Sequence, residues 1–429
     1  MPLIRSIGRW SLVALVINCI IGSGIFGVPG KLIAAVGAAS PIAMLLAGLL
    51  TAVIVLCFAE VGSRFSEPGG VYLYSRSAFG RLMGLEVGWF YFLSALGGAA
   101  ANANLFVIYL SGMAPWCGHG WPRALVIAGL IAVPAAANYL GTRKGTIWCN
   151  VFTVAKLAPL ALLIGLGFIR FSRKANLARV SGVGAPGWAA WGNALLLLIF
   201  VFGGFEDPMT PASEVNEPRR TIPFALITGL AACTVIYALL QFVVVATVGT
   251  TAAERPLASA AEVLVGRGGA LFVDVAAMIS TYGWISASLL NVPRLLFSLA
   301  DTGDFPPVFG KVHARYNTPH AAILIFAALA WILTVTGTFK WSLLVSAGAG
   351  VLYYLVVCAA LLRLRRLQTK PARFRLPFGA AFSIAGMAIC VLLLSRLELR
   401  EALLMMITAV VAGVNWWWVR RRAAFALVR

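Results

Sequence analysis

Ile21-Gly22-Ser23-Gly24-Ile25-Phe26 lies in the middle of the first apolar stretch of the chain, and Phe202-Gly203-Gly204-Phe205-Glu206-Asp207-Pro208 lies inside the sixth. A glycine weakens a helix by about 1 kcal/mol relative to alanine, and a proline lacks the N–H that a continuing helix needs. Both segments are therefore expected to unwind. An unwound segment leaves N–H groups at the start of one half-helix and carbonyls at the end of the other. The break at Ile21, Gly22, Ser23 and Gly24 then offers N–H groups at a positive dipole end, which suits a carboxylate. The break after Phe202, at Gly203 and Gly204, offers carbonyls at a negative end, which suits an ammonium. One site would complement both charges of an α-amino acid. The plainer account of each glycine pair is close packing of helices.

Working outward, 61% of the 429 residues are apolar and 11% are charged, against about 25% charged in an ordinary soluble domain. The 43 glycines and 13 tryptophans fit packed membrane helices with interfacial rings, and the mean hydropathy of +0.92 agrees. Twelve apolar stretches, near 8–36, 40–62, 84–112, 123–140, 147–169, 191–214, 223–248, 270–299, 319–337, 341–362, 378–396 and 401–420, are each read as one span of roughly 20 residues. An extramembrane domain has no room. An even number of spans puts both termini on one side.

The net charge of +20 would point to nucleic acid in a soluble protein. Here it sits in short loops and reads as topology. Arg5, Arg9, Arg64, Arg76, Arg81, Arg143, Lys144, Arg219, Arg220, Arg294, Lys311, Arg315, the cluster from Arg363 to Arg375 and the tail from Arg420 to Arg429 fall on one side. That side is the cytoplasm by the excess of positive residues. Arg170, Arg173, Lys174 and Arg179 run against the pattern. The segment Met1 to Trp10 lacks a small-residue cleavage site and is not read as a removable signal.

Glu206 follows the second break, deep in its apolar run. A carboxylate there is expected to meet a substrate ammonium or act as a protonatable switch; pairing with Lys156 or a hydroxyl is the structural alternative. Asp207 before Pro208 reads as a helix cap. Lys156 stands about nine residues from the nearer end of its span, roughly 14 Å in, which is too deep to snorkel. Its ammonium is expected on helix-end carbonyls of the first break, where a sodium ion would otherwise sit, or as a tether between helices. Trp284 either closes over a bound side chain or packs. Asn18, Asn102 and Asn104 are assigned to helix-to-helix hydrogen bonds, and Glu60 and Glu86 to loop pairing. Among the seven cysteines only Cys117 reads as loop-exposed. Neither they nor His119, His313 and His320 suggest a disulfide framework or a metal site.

Four segments in order now resemble the amino acid-polyamine-organocation transporters over nearly the whole chain. They are Gly22-Ser-Gly-Ile-Phe26, the run from Ala59 to Tyr72, Gly203-Gly-Phe-Glu206 leading to the run from Glu214 to Pro223, and the run from Arg294 to Pro307. The resemblance implies the leucine-transporter type of fold, alternating access, and a small amine-bearing substrate held by the first and sixth spans. By motif position Lys156 matches the lysine that many sodium-independent members carry in place of a sodium site. Glu206 and Trp284 match residues of the arginine/agmatine antiporters. Asp207-Pro208 departs from the small or aliphatic residues common there.

The reading is an all-α integral membrane protein of twelve transmembrane helices. Its two inverted five-helix repeats span residues 1–170 and 171–362, and 363–429 adds two helices and a cytoplasmic end. It is expected to be a multi-pass permease of the bacterial inner membrane. It would move amino acids without sodium, as an exchanger or proton-coupled carrier, with the bilayer and a small amine substrate as partners. No nucleic acid, cofactor or metal is expected. A polyamine or amine antiporter and a non-transporting amino acid receptor are the alternatives. An intramembrane enzyme would need a nucleophile and base that the sequence does not offer.

Overall fold

The computed structural model describes residues 7–140, 145–173, 186–210, 212–249, 253–367 and 371–426. Arg5, Arg143, Lys144, Lys174, Arg179, Lys370 and Arg429, part of the charge pattern above, lie outside the described residues. Helices make up most of them, joined by turns and short loops. In order come α1 (Arg9–Ile20), α2 (Ser23–Val36), α3 (Ser40–Gly62), α4 (Gly70–Phe79), α5 (Arg81–Met113), α6 (Gly120–Tyr139), α7 (Gly145–Arg173), α8 (Trp188–Phe202), α9 (Pro218–Val248) and α10 (Pro256–Val265). They are followed by α11 (Arg267–Asp301), α12 (His320–Thr336), α13 (Phe339–Leu367), α14 (Gly379–Leu394) and α15 (Leu399–Ala426). In lipid every backbone polar group must be bonded within the protein, and helices meet that demand segment by segment.

Eight segments among the described residues are long and apolar enough to cross a membrane. The count is four short of the expected twelve: α2 is joined to α3 in one segment, Ser23–Gly62, α7 is not among the eight, and two further helices are short. The break at Ile21-Gly22 divides the first stretch into α1 and α2, of 12 and 14 residues, and α12 and α14 have only 17 and 16. The short α4 and α10, absent from the sequence reading, sit between longer helices. The sixth stretch is α-helical only to Phe202, and then makes the 3-10 turns Asp207–Met209 and Ala212–Glu214.

Leu45, Leu49, Val133, Val410 and Val414 point outward, as lipid-facing residues must. Inside, one apolar cluster draws mainly on α1, α2, α3, α8, α9, α10 and α13. A second lies between α5, α6, α11 and α12. α13 packs along α5, α3 along α9, and α2 along α8.

Two polar nodes fasten the end of the bundle where α3 stops and α9 starts. Glu60, 0% exposed, takes Arg64 at 2.9 Å, Arg365 at 2.8 and 2.5 Å, and the Leu376 N–H at 2.8 Å. The expected loop pairing is met only in part: Arg64 lies in the turn after α3, but Glu60 itself is buried inside α3 and is also held by Arg365 of α13. Glu86 is likewise within α5 and has no ion pair among the described residues. The second node is Asp304, also fully buried. It accepts from Tyr72, from Arg81 and from Arg76 at 3.2 Å. Burial first, and then the bond to Asp304, push the Tyr72 phenol up to about 12, so it remains a donor at neutral pH. Cys117, expected in the open, is buried in a 3-10 turn.

Candidate functional site

α1 ends at Ile20 and α2 begins at Ser23, so the unwound residues are Ile21 and Gly22. Three carbonyls at the end of α1 find side-chain partners. Lys156 Nζ donates to Ile21 O at 3.1 Å and Asn18 O at 3.4 Å, and the Tyr237 hydroxyl donates to Ile20 O at 3.1 Å. Lys156 is 2% exposed, and the ammonium lies against the negative end of a half-helix, the arrangement the dipole favours. At the other side of the break, Ser23 N donates to Asn102 Oδ1 at 3.1 Å. Asn102 therefore does more than bond helix to helix. It occupies one N–H of the expected carboxylate cradle, while Ser23 Oγ beside it is buried and has no hydrogen-bond partner among the described residues.

The second break brings its backbone up against the first. Gly203 is extended, and Gly204 takes φ of +92°, a conformation that favours glycine. A Cβ on Gly204 would stand 2.6 Å from the carbonyl oxygen of Cys19. Gly24 is also a packing glycine, since a Cβ there would lie 2.8 Å from Val201 Cα on α8. The packing account of the glycines and the unwinding account thus apply together.

Glu206, 5% exposed, accepts from Tyr353 at 2.5 Å, from Tyr354 at 3.1 Å and from Gly204 N at 3.1 Å. Of its two expected structural alternatives, the bond to a buried hydroxyl is formed, twice, and the pair with Lys156 is not. Asp207 does not cap the turn it begins; its Oδ1 accepts from the Tyr91 hydroxyl of α5 at 2.6 Å. The reason is local: Gly204 turns the chain so that the carboxylate reaches across to α5.

These groups surround one cavity. Gly22, Ser23, Gly24, Gly203, Gly204, Glu206, Trp284 and Lys156 all line it, whereas Ile21 and Phe202 do not. Ile21 contributes its carbonyl, and the Phe202 ring packs on Tyr237 with centroids 5.3 Å apart. Trp284 reaches the cavity from α11, in the second apolar cluster. Its indole fits against Gly98 of α5, where a Cβ would fall 2.5 Å from the ring. Asn104 serves helix packing, as expected. It bonds to Thr334 O of α12 at 3.4 Å and accepts from Arg123 of α6.

Sequence reasoning missed Tyr91, Tyr353, Tyr354 and the cavity serines Ser94 and Ser346. The available signal was Tyr353-Tyr354 in an apolar run that opens with Ser346-Ala-Gly-Ala-Gly350. Small residues there let α13 approach α5, and Ser346 Oγ donates to Ser94 O at 2.8 Å. No three His, Cys, Asp or Glu side chains among the described residues are grouped to hold a metal ion.

The amino acid permease family model matches residues 7–419. The chain is 30% identical over 339 residues to the serine/threonine exchanger SteT of Bacillus subtilis, covering 77% of this chain and 76% of the relative. It is 27% identical over 412 residues to the methylthioribose transporter of the same organism, covering 90% and 87%. An uncharacterized transporter of Mycobacterium tuberculosis is 30% identical over 400 residues, covering 85% and 81%. With helices broken around one lined cavity and a family match along nearly all of its length, this chain is a multi-pass integral membrane protein that belongs to the amino acid permease family.

Proposed function

We propose that the protein carries amino acids across the bacterial inner membrane by alternating access, without sodium, as an exchanger or proton-coupled carrier. The observation that carries this reading is the meeting of two broken helices at one cavity, with Gly204 packed on the Cys19 carbonyl. Broken helices meeting near the middle of the bilayer mark the binding site of inverted-repeat carriers. In this reading there are twelve spans: α1 with α2, then α3, α5, α6, α7, α8 with the turns after it, α9, α11, α12, α13, α14 and α15. Residues 1–170 and 171–362 are the two repeats, 363–429 is an addition, and both termini are cytoplasmic. The substrate carboxylate goes to the N-terminus of α2 and the α-ammonium to the carbonyl end of α8. Ser23, Gly24, Gly203 and Trp284 line its place. Because the cavity lies between two separate apolar clusters, each can shift against the other without opening either core.

Sodium independence rests on Lys156, whose fixed ammonium already neutralises the carbonyls at the end of α1. Glu206 is the group to take up and release a proton, held by two tyrosines and one N–H rather than by a cation. SteT is named an exchanger, and exchange is accordingly the first mode to test. Liposomes containing the purified protein and loaded with an amino acid mixture should accumulate labelled amino acid by counterflow, equally in sodium, potassium and choline buffers. Ligand-induced thermal stabilisation without any flux would point to a receptor and overturn the transport reading.

A further inference from the structure

Glu60, Asp274 and Asp304 are each ion-paired to arginine. Glu206 and Asp207 are not. They are consecutive, both line the cavity, and every donor on them is neutral: three tyrosine hydroxyls and the Gly204 N–H. Asp207 is only half-buried, and its Oδ2 accepts no hydrogen bond among the described residues. Lys156, the one lysine or arginine among the lining residues, is turned to the carbonyls of the other break.

The charge of the loaded cavity then separates the substrates. Once Glu206 has released its proton, the two carboxylates, Lys156 and a neutral amino acid zwitterion leave one negative charge over, whereas with Glu206 protonated the same zwitterion balances. In a site closed off from water an uncompensated charge is costly, and several kcal/mol is the usual scale. A substrate with one positive charge on its side chain closes the balance. A diamine without a carboxylate overshoots it and leaves the α2 N-terminus unfilled. We infer that the protein's preferred substrates are amino acids with a cationic side chain, and that Asp207 is the residue that selects them, its open oxygen receiving the side-chain ammonium or guanidinium. This rests on the reading of the cavity as an amino acid site.

Isosteric pairs test this directly. L-arginine against L-citrulline, and L-lysine against L-norleucine, differ in side-chain charge at nearly constant shape. Thermal stabilisation of the purified full chain, and competition for counterflow in liposomes, should favour the cationic member of each pair by about tenfold or more. Asp207→Asn should bring that ratio close to one, while Asp207→Glu should retain a preference for the cation. The isostere comparison in the unmodified protein decides the matter even if the variants fail to fold. Equal binding of citrulline and arginine would overturn the inference, as would an undiminished ratio in a folded Asp207→Asn protein, or tighter binding of agmatine than of arginine. If neutral amino acids exchange and cationic ones do not, the inference fails and the transport reading stands. If no amino acid of either kind binds or exchanges, the transport reading itself fails.

Discussion

Glu60 and Glu206 are two carboxylates buried in the same apolar bundle, and the protein compensates them in opposite ways. Glu60 is enclosed by two guanidinium groups and a backbone N–H. Glu206 has two phenols, one N–H and no cation among the described residues. Removing one partner of a buried ion pair strands the other charge, so Glu60 is fixed as a structural fastening. Glu206 has only neutral donors and no charge that a proton on it would strand, so its state is free to answer to what enters the cavity. One carboxylate closes an end of the bundle, and the other leaves the middle open to a change of charge.

The sharpest way to break the contrast is Glu60→Ala. It strands Arg64 and Arg365, and unfolding free energy should fall by about 3 kcal/mol or more, measured by thermal unfolding in detergent. A variant as stable as the parent would mean that Glu60 is no fastening. Next comes Gly24→Val. Its side chain would enter the 2.8 Å gap to Val201 Cα, cost about 1–3 kcal/mol by overpacking, and abolish transport by parting α2 from α8. Normal uptake would place the site elsewhere. Lys156→Ala should have a smaller effect on folding, about 1–3 kcal/mol for the carbonyls left unbonded, yet lose most of the transport rate. A strong sodium requirement in the unmodified protein would contradict the role given to its ammonium. The mildest change is Glu206→Gln, which keeps the shape and fixes a neutral state. Stability should move by less than about 1 kcal/mol, while the dependence of rate on pH flattens; a profile as steep as the parent's would shift the proton site to another group.

What the sequence conveyed about this contrast follows from how local each signal is. The breaks were readable because Gly22, Gly203 and Gly204 act on the backbone where they stand, whereas Gly24, also expected in the break, is helical and serves packing. Lys156 was readable because its depth excludes water, whatever surrounds it. Asp207 was misread because Asp-Pro is a common cap, and only the turn at Gly204 sends its carboxylate toward Tyr91 instead. Tyr353 and Tyr354 were hidden for a similar reason. A tyrosine in an apolar run carries no sign of its partner, and theirs lies far away in sequence, on the segment after α8. Glu60 was misjudged although the apolar stretch 40–62 contains it, because the partners that make its burial possible, Arg365 and the Leu376 N–H, lie far away in sequence.

The niche at Gly98 carries a consequence for pocket capacity. The Trp284 indole rests where any side chain at residue 98 would have to stand, so the missing methyl on α5 is the space that keeps the ring back from the cavity. A single added carbon at Gly98 would drive the indole toward the two breaks and shorten the reach available to a substrate side chain, while leaving every polar group in place. Residue 98 thus serves as a spacer that sets how far the indole stands into the cavity.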